Sequence, residues 1–191
     1  MKRFIYIYFI LINYFRFKLI GIKYGNGLRV YNWIYLKVNK EASVTIGNNF
    51  CFSSGGGINA LSRNICGQIC VGKGASLSIG NNVGVSSACI WVKEKVKIGN
   101  NVLIGGDSII IDTDAHQIEW QKRLDKENDY ALSKSKPIII EDDVMIGTRS
   151  IILKGVTIGA HSVIGAGSVV CKDIPANCIA AGNPCKVVRE L

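Results

Sequence analysis

Histidine is nearly missing from this sequence, with 2 in 191 residues. No site that needs three histidine ligands from one chain can be built from it. Proline is also scarce, at 3, while glycine reaches 21. So few prolines exclude a proline-rich stalk, and so many glycines point to tight turns between short strands. The 7 cysteines include no C-x-x-C pair, which removes the spacing of a zinc ribbon or a dithiol redox site. An odd number, with no signal-type cleavage site, is expected of reduced thiols in a cytoplasmic protein, serving as small core fillers.

Residues 1–40 lack acid altogether and hold eight basic residues: Lys2, Arg3, Arg16, Lys18, Lys23, Arg29, Lys37 and Lys40. The other residues carry 15 basic and 14 acidic groups, so the net charge of +9 is an N-terminal property. A balanced remainder gives no reason to expect a nucleic-acid partner. A span of ~20 uncharged apolar residues is absent too. The longest run, FIYIYFILI at 4–12, continues through Phe15, Phe17, Leu19, Ile20 and Ile22 but is broken by Asn13, Arg16 and Lys18. Six of the 7 tyrosines lie in residues 1–40. Residues 1–25 are therefore expected to form a separate apolar and basic segment. It either lies in a membrane interface or packs on the main domain or a subunit contact.

What is present is a six-residue repeat. Aliphatic residues fall at Ile140, Ile146, Ile152, Ile158, Ile164 and Val170, and at Ile98, Ile104 and Ile110. Ile79, Val85 and Trp91 continue the step, and VTIGNN (44–49) and VGKGAS (71–76) repeat the theme. A period of six is not helical; it suits a short strand and a tight turn, repeated. The aliphatic points inward, with a small residue two positions later expected to share the interior. Asn pairs at 48–49, 81–82 and 100–101 suit turns with positive φ. Three units make one triangular coil, and stacked coils pair at the ~4.8 Å strand spacing.

The step vanishes between Ile111 and Pro137, in DTDAHQIEWQKRLDKENDYALSKSK. Long excursions inside compact repeats are usually functional. This one opens with His116, which reads as a general base, a metal ligand or an ordinary loop histidine. Asp112, Asp114, Glu119 and Glu127 are carboxylates able to orient its ring. His161 sits in a regular repeat turn and reads as surface.

The run IGNNVLIGG, a break ending in AH, a loop, and then PIIIEDDVMIGTRSIILKGVTIGAHSVIGAGSVVCKDIPANCIAAGNPCKVVREL resembles the hexapeptide-repeat O-acetyltransferases. The closest likeness is to galactoside and maltose acetyltransferases and to capsule or lipopolysaccharide O-acetyltransferases. The resemblance implies an all-β, left-handed parallel β-helix over 26–191, with a loop at 112–137 and a tail at 180–191. It implies acetyl-CoA as co-substrate and no metal. His116 matches the catalytic histidine, and Thr148 supplies the oxyanion N–H. Gly147, Ala166, Lys172, Lys186 and Arg189 match coenzyme A positions. Ser86 and Ser87 align near the acceptor-binding position, and Asp114 joins them as a candidate acceptor contact. Met145 stands where the family often has Trp.

The expected activity is direct transfer of acetyl to a sugar hydroxyl in surface-polysaccharide synthesis. The acceptor is a sugar or glycan, lipid-linked in the membrane-associated case, and the enzyme a homotrimer at the inner face of the membrane. The alternatives are transfer to serine or to an amino-sugar amine by the same fold, and a non-catalytic β-helix for binding or assembly.

Overall fold

The computed structural model describes residues 2–55, 57, 58, 61 and 65–191. Met1 and the side chains of residues 2–5, with the charges expected on Lys2 and Arg3, lie outside the described residues. From Lys23 onward the chain winds round a triangular prism. The first face carries strands Lys23–Tyr24, Ser43–Ile46, Ser76–Ile79, Lys95–Ile98, Ile138–Ile140 and Thr157–Ile158. The second carries Arg29–Tyr31, Cys51–Ser53, Gly84–Ser86, Leu103–Ile104, Met145–Ile146, Val163–Ile164, Cys178–Ala181 and Lys186–Glu190. The third carries Tyr35–Val38, Gln68–Val71, Cys89–Val92, Ile109–Ile111, Ile151–Leu153 and Val169–Val170. Pairing is parallel except at the end, where Lys186–Glu190 runs antiparallel to Cys178–Ala181.

The aliphatic column expected from the six-residue step is the core. Ile98, Ile104, Ile110, Ile140, Ile146, Ile152, Ile158, Ile164 and Val170 are all buried. Removing such side chains from water contributes roughly 1.5–3 kcal/mol each. The small partner stands two residues before the aliphatic, not two after. Val144, Ser150, Val156, Ser162 and Ser168 are the buried ones, whereas Thr148 and Lys154 are not. The pleat explains this: alternate residues of one strand face the same side, and the turn begins straight after the aliphatic. Trp91 also departs from expectation. Ile90 and Val92 take the inward places and Trp91 faces outward.

One corner, between the first and second faces, is a double amide ladder. Asn49, Asn82, Asn101, Asp143, His161 and Asn177 stack there with φ of 56–61°. The Asn49, Asn82 and Asn101 amides each donate to the next side chain at 2.9 Å, ending on Asp143. Beside them Asn48, Asn81 and Asn100 do the same at 3.1–3.2 Å, ending on Asp142. Asp142 is held below the usual carboxylate range, first by the Asn100 backbone N–H and then by its side-chain amide.

Helix α1, Lys2–Ile20, covers the open first coil. Phe17 and Asn13 are fully buried. The Asn13 amide donates to the Phe9 carbonyl at 2.9 Å and the Asn32 carbonyl at 3.0 Å. Arg16 donates to the Ile34 carbonyl at 3.0 Å and lies 3.8 Å over the Trp33 ring. The polar residues that break the apolar run thus satisfy groups of an otherwise bare sheet end. The opposite side of the helix exposes Ile7, Leu11, Phe15 and Leu19. No helix among the described residues is long and apolar enough to cross a membrane.

Candidate active site

The excursion 112–137 leaves the corner between the third and first faces. It is tied down at both ends. Asp112, fully buried, accepts from the backbone N–H groups of Lys93, Glu94 and Lys95 at 2.7–2.8 Å. Asp114 meets the Lys154 ammonium at 2.5 Å and its backbone N–H donates to the Lys134 carbonyl. Within the loop lie a 3-10 turn at Lys122–Leu124 and helix α2, Asp129–Leu132. The Lys93 ammonium closes the end of α2. Its hydrogen bonds reach the carbonyls of Tyr130, Ala131 and Ser133 and the Ser133 hydroxyl, at 2.6–3.1 Å. Burial pushes that ammonium below its ordinary pKa, and Asp112 opposes the shift.

This clasp delivers one carboxylate to the histidine. His116 Nδ1 lies 2.5 Å from Asp129 Oδ2, and Gln117 N–H donates to Asp129 Oδ1 at 2.8 Å. The Gln117 N–H first, and the His116 ring second, hold Asp129 below the usual carboxylate range. An ionised carboxylate only accepts, so Nδ1 carries a proton, and in the neutral ring the lone pair is on Nε2. With its side chain 68% exposed, the ring can offer Nε2 to an incoming hydroxyl.

The orienting carboxylate differs from the expected ones. Asp112 and Asp114 hold the loop, and Glu119 pairs with Lys122 at 3.3 Å. Among the described residues neither Glu119 nor Glu127 contacts the ring. Asp129 does, because the turn of α2 folds it back across the loop. His161 is a ladder member, with Nδ1 3.1 Å from the Asn177 side-chain oxygen.

The other predicted residues divide between corners. Gly147, Thr148 and Ala166 lie at the corner between the second and third faces. Thr148 Oγ1 donates to the Gly106 carbonyl at 2.5 Å. The Thr148 backbone N–H has no acceptor among the described residues and is free for a ligand oxygen. Gly147 is demanded by the stacking of coils, since a Cβ there would stand 2.5 Å from Ala166 N. Lys186 pairs with Ala181 beside this corner, and Arg189 continues the outward row Met145, Val163, Ile179. Lys172 is exposed and lies elsewhere, just after the third-face strand Val169–Val170. Ser87 is buried at the same corner as Thr148 and accepts from Gly55 N–H at 2.8 Å. Ser86 Oγ lies 3.3 Å from Ser53 Oγ. Among the described residues no hydrogen bond or ion pair joins His116 to Thr148. The two halves stand on different corners of one prism.

Known proteins share this arrangement of repeats. The family model described as the hexapeptide repeat of succinyl-transferase matches residues 95–111 and 137–172. Over 119 residues the chain is 41% identical to galactoside O-acetyltransferase of Escherichia coli (strain K12), covering 62% of this chain and 56% of that protein. A putative acetyltransferase of Saccharomyces cerevisiae is 42% identical over 119 residues, covering 62% and 58%. The chain thus spans little more than half the length of these curated relatives. Among solved structures, a galactoside acetyltransferase in complex with coenzyme A matches with a TM-score of 0.56 and 28% identity, over 92% of this chain and 69% of that one. A polySia-specific acetyltransferase matches at 0.57 and 27%, over 88% and 80%. Over these residues the chain is similar to hexapeptide-repeat acetyltransferases, and its fold is the left-handed parallel β-helix.

Proposed function

We propose that the chain is an acetyl-CoA-dependent O-acetyltransferase acting on a sugar hydroxyl of a surface polysaccharide. The observation that carries this reading is the His116–Asp129 pair on the one long loop, 2.5 Å apart. His116 Nε2 takes the proton of the acceptor hydroxyl as its oxygen attacks the thioester carbonyl. The negative charge on the carbonyl oxygen then meets the unengaged N–H of Thr148. The coenzyme A thiolate leaves and recovers the proton from His116, and Asp129 steadies the imidazolium between the two transfers. The similarity to acetyltransferases, one of them solved with coenzyme A, supports acetyl-CoA as the donor. Lys186, paired with Ala181 beside the Thr148 corner, and Arg189, further along the same strand, are cations available for its phosphates.

The separation of His116 from Thr148 supports a site formed between copies, in a homotrimer where one chain's loop meets the next chain's corner. Mixing tests this directly. His116→Ala and Thr148→Pro chains should each be inactive, and hetero-oligomers formed from the two should regain transfer. No regain in verified mixed oligomers sinks the shared site. The transferase reading itself is tested by acetyl-CoA calorimetry on the full chain, followed by mass-spectrometric detection of acetylated glycan. Absence of saturable acetyl-CoA binding would overturn it.

The exposed face of α1 supports attachment to the cytoplasmic face of an anionic membrane. Ile7, Leu11, Phe15 and Leu19 form one stripe, and residues 1–40 contain no acid. Phe15→Glu with Leu19→Glu should abolish co-sedimentation with phosphatidylserine vesicles. Unchanged co-sedimentation refutes the attachment.

A further inference from the structure

The third face carries a cleft of about 1080 Å³ close beneath the loop. Such a volume exceeds the roughly 300–1,000 Å³ of ordinary small-molecule pockets, so it has room for more than one sugar ring. Its floor is two rows of outward side chains in register: Tyr35, Gln68 and Cys89, then Lys37, Cys70 and Trp91. Tyr130 of α2 forms a wall, stacked against Trp91 with ring centroids 6.1 Å apart and planes 19° apart. Ile90 and Val92 keep the inward column at this strand, so Trp91 between them turns a large flat apolar ring outward. Flat aromatic faces of this kind suit the C–H faces of sugar rings.

The charge at the rim has one sign in excess. Lys37, Lys40 and Lys73 border the cleft, and the lining has a single acid, Glu41. Glu41 is occupied by Lys73 at 3.2 Å, which leaves Lys37 and Lys40 without an acid on the rim. The thiols of the floor do not compensate. Burial pushes Cys89 up to about 11, and burial raises Cys70 against the pull of Lys37, so both stay neutral at neutral pH. Tyr130 directly follows Asp129, so a ligand against the Tyr130 ring ends one residue along the chain from the partner of His116.

We infer that this cleft is the acceptor site and that the acceptor is an oligosaccharide carrying negative charge, as carboxylate or phosphate. The inference rests on the transferase reading above and names its substrate class. Calorimetry with the full-length protein tests it, using a uronic-acid trisaccharide, the neutral trisaccharide of the same linkage and a phosphorylated trisaccharide. At least one anionic ligand should bind about tenfold or more tightly than the neutral one, and the tighter of the two identifies the anion. Raising the salt should weaken that preference. Lys37→Gln with Lys40→Gln should erase it, and Trp91→Ala should weaken all three ligands. Both lysines are exposed, so the double variant folds even if the Trp91 variant does not.

Equal binding of charged and neutral ligands overturns the proposal, as does a preference that survives the double lysine variant. So does a solution oligomer in which a second copy covers Trp91 and Tyr130. Acetyl-CoA titrated into the same wild-type sample separates the two failures. If it binds and no anionic preference is seen, only the cleft assignment falls. If it does not bind, the transferase reading falls.

Discussion

His116 Nδ1 and Asp129 Oδ2 face each other across the loop at 2.5 Å, and the other Asp129 oxygen is held by the Gln117 N–H at 2.8 Å. Both oxygens of Asp129 are therefore spent on one task, fixing the ring and its tautomer. Replacing His116 with Ala should lower transfer about 10²–10⁴-fold. Asp129→Asn should lower kcat by about 10²-fold or more, with the KM for acetyl-CoA little changed, because the amide no longer enforces the proton on Nδ1. The double variant should be no slower than His116→Ala alone, since one residue acts through the other. Steady-state kinetics of the three variants check this.

Lys93 is the clasp of the loop, with hydrogen bonds to three carbonyls and one hydroxyl at the end of α2. Lys93→Met keeps the apolar stem and removes the ammonium. Amide hydrogen exchange over 129–133 should quicken while the coil amides stay protected. The kcat should fall with it, because Asp129 is carried on the released turn. Unchanged exchange in that segment contradicts the role.

The coils stack too closely for a side chain at Gly147, where a Cβ would stand 2.5 Å from Ala166 N. Gly147→Ala should lower the melting temperature and move the neighbouring Thr148 N–H, losing activity along with stability. Ile152→Ala, at a fully buried aliphatic position, should cost about 2–5 kcal/mol in urea unfolding and leave the loop intact.

Asp129 and Asp142 are both held below the ordinary carboxylate range in the folded chain. Their contribution to stability is complete above the unfolded value, near 3.9, and is lost as the pH falls below it toward the folded values. The urea midpoint should hold steady from neutral pH to about 5 and drop below about 4. Asp142→Asn should lower the midpoint at neutral pH and flatten the drop. An equally steep acid drop in that variant rules out a part for this carboxylate.

The coil was legible because its signal is repeated. The six-residue step from Ile140 to Val170 marks consecutive buried positions, and the Asn pairs mark a corner that requires positive φ. The histidine was legible from its place at the start of the one excursion without the repeat. Its partner was not. Asp129 lies 13 residues further on among other carboxylates, and only the fold of the loop chooses among them. Asn13 and Arg16 were read as interruptions of an apolar run. Their function, closing bare carbonyls of the first coil, depends on a packing partner that no local pattern names. Trp91 kept the step of six in sequence but not in space, since the interval from Val85 to the buried Ile90 is one residue short.

The two amide ladders carry a rule for how this protein can be lengthened or shortened. Each rung donates forward and accepts from behind, and the carboxylates of Asp142 and Asp143 accept without donating. A coil inserted ahead of Asp142 fits only if it brings its own pair of asparagines. A coil inserted after it meets two acceptors and has no amide aimed at it. The corner thus has a direction: amides pass the bond forward as far as Asp142 and Asp143, and beyond them the stack changes chemistry, with the His161 ring set between the Asp143 carboxylate at 3.5 Å and the Asn177 side chain at 3.1 Å.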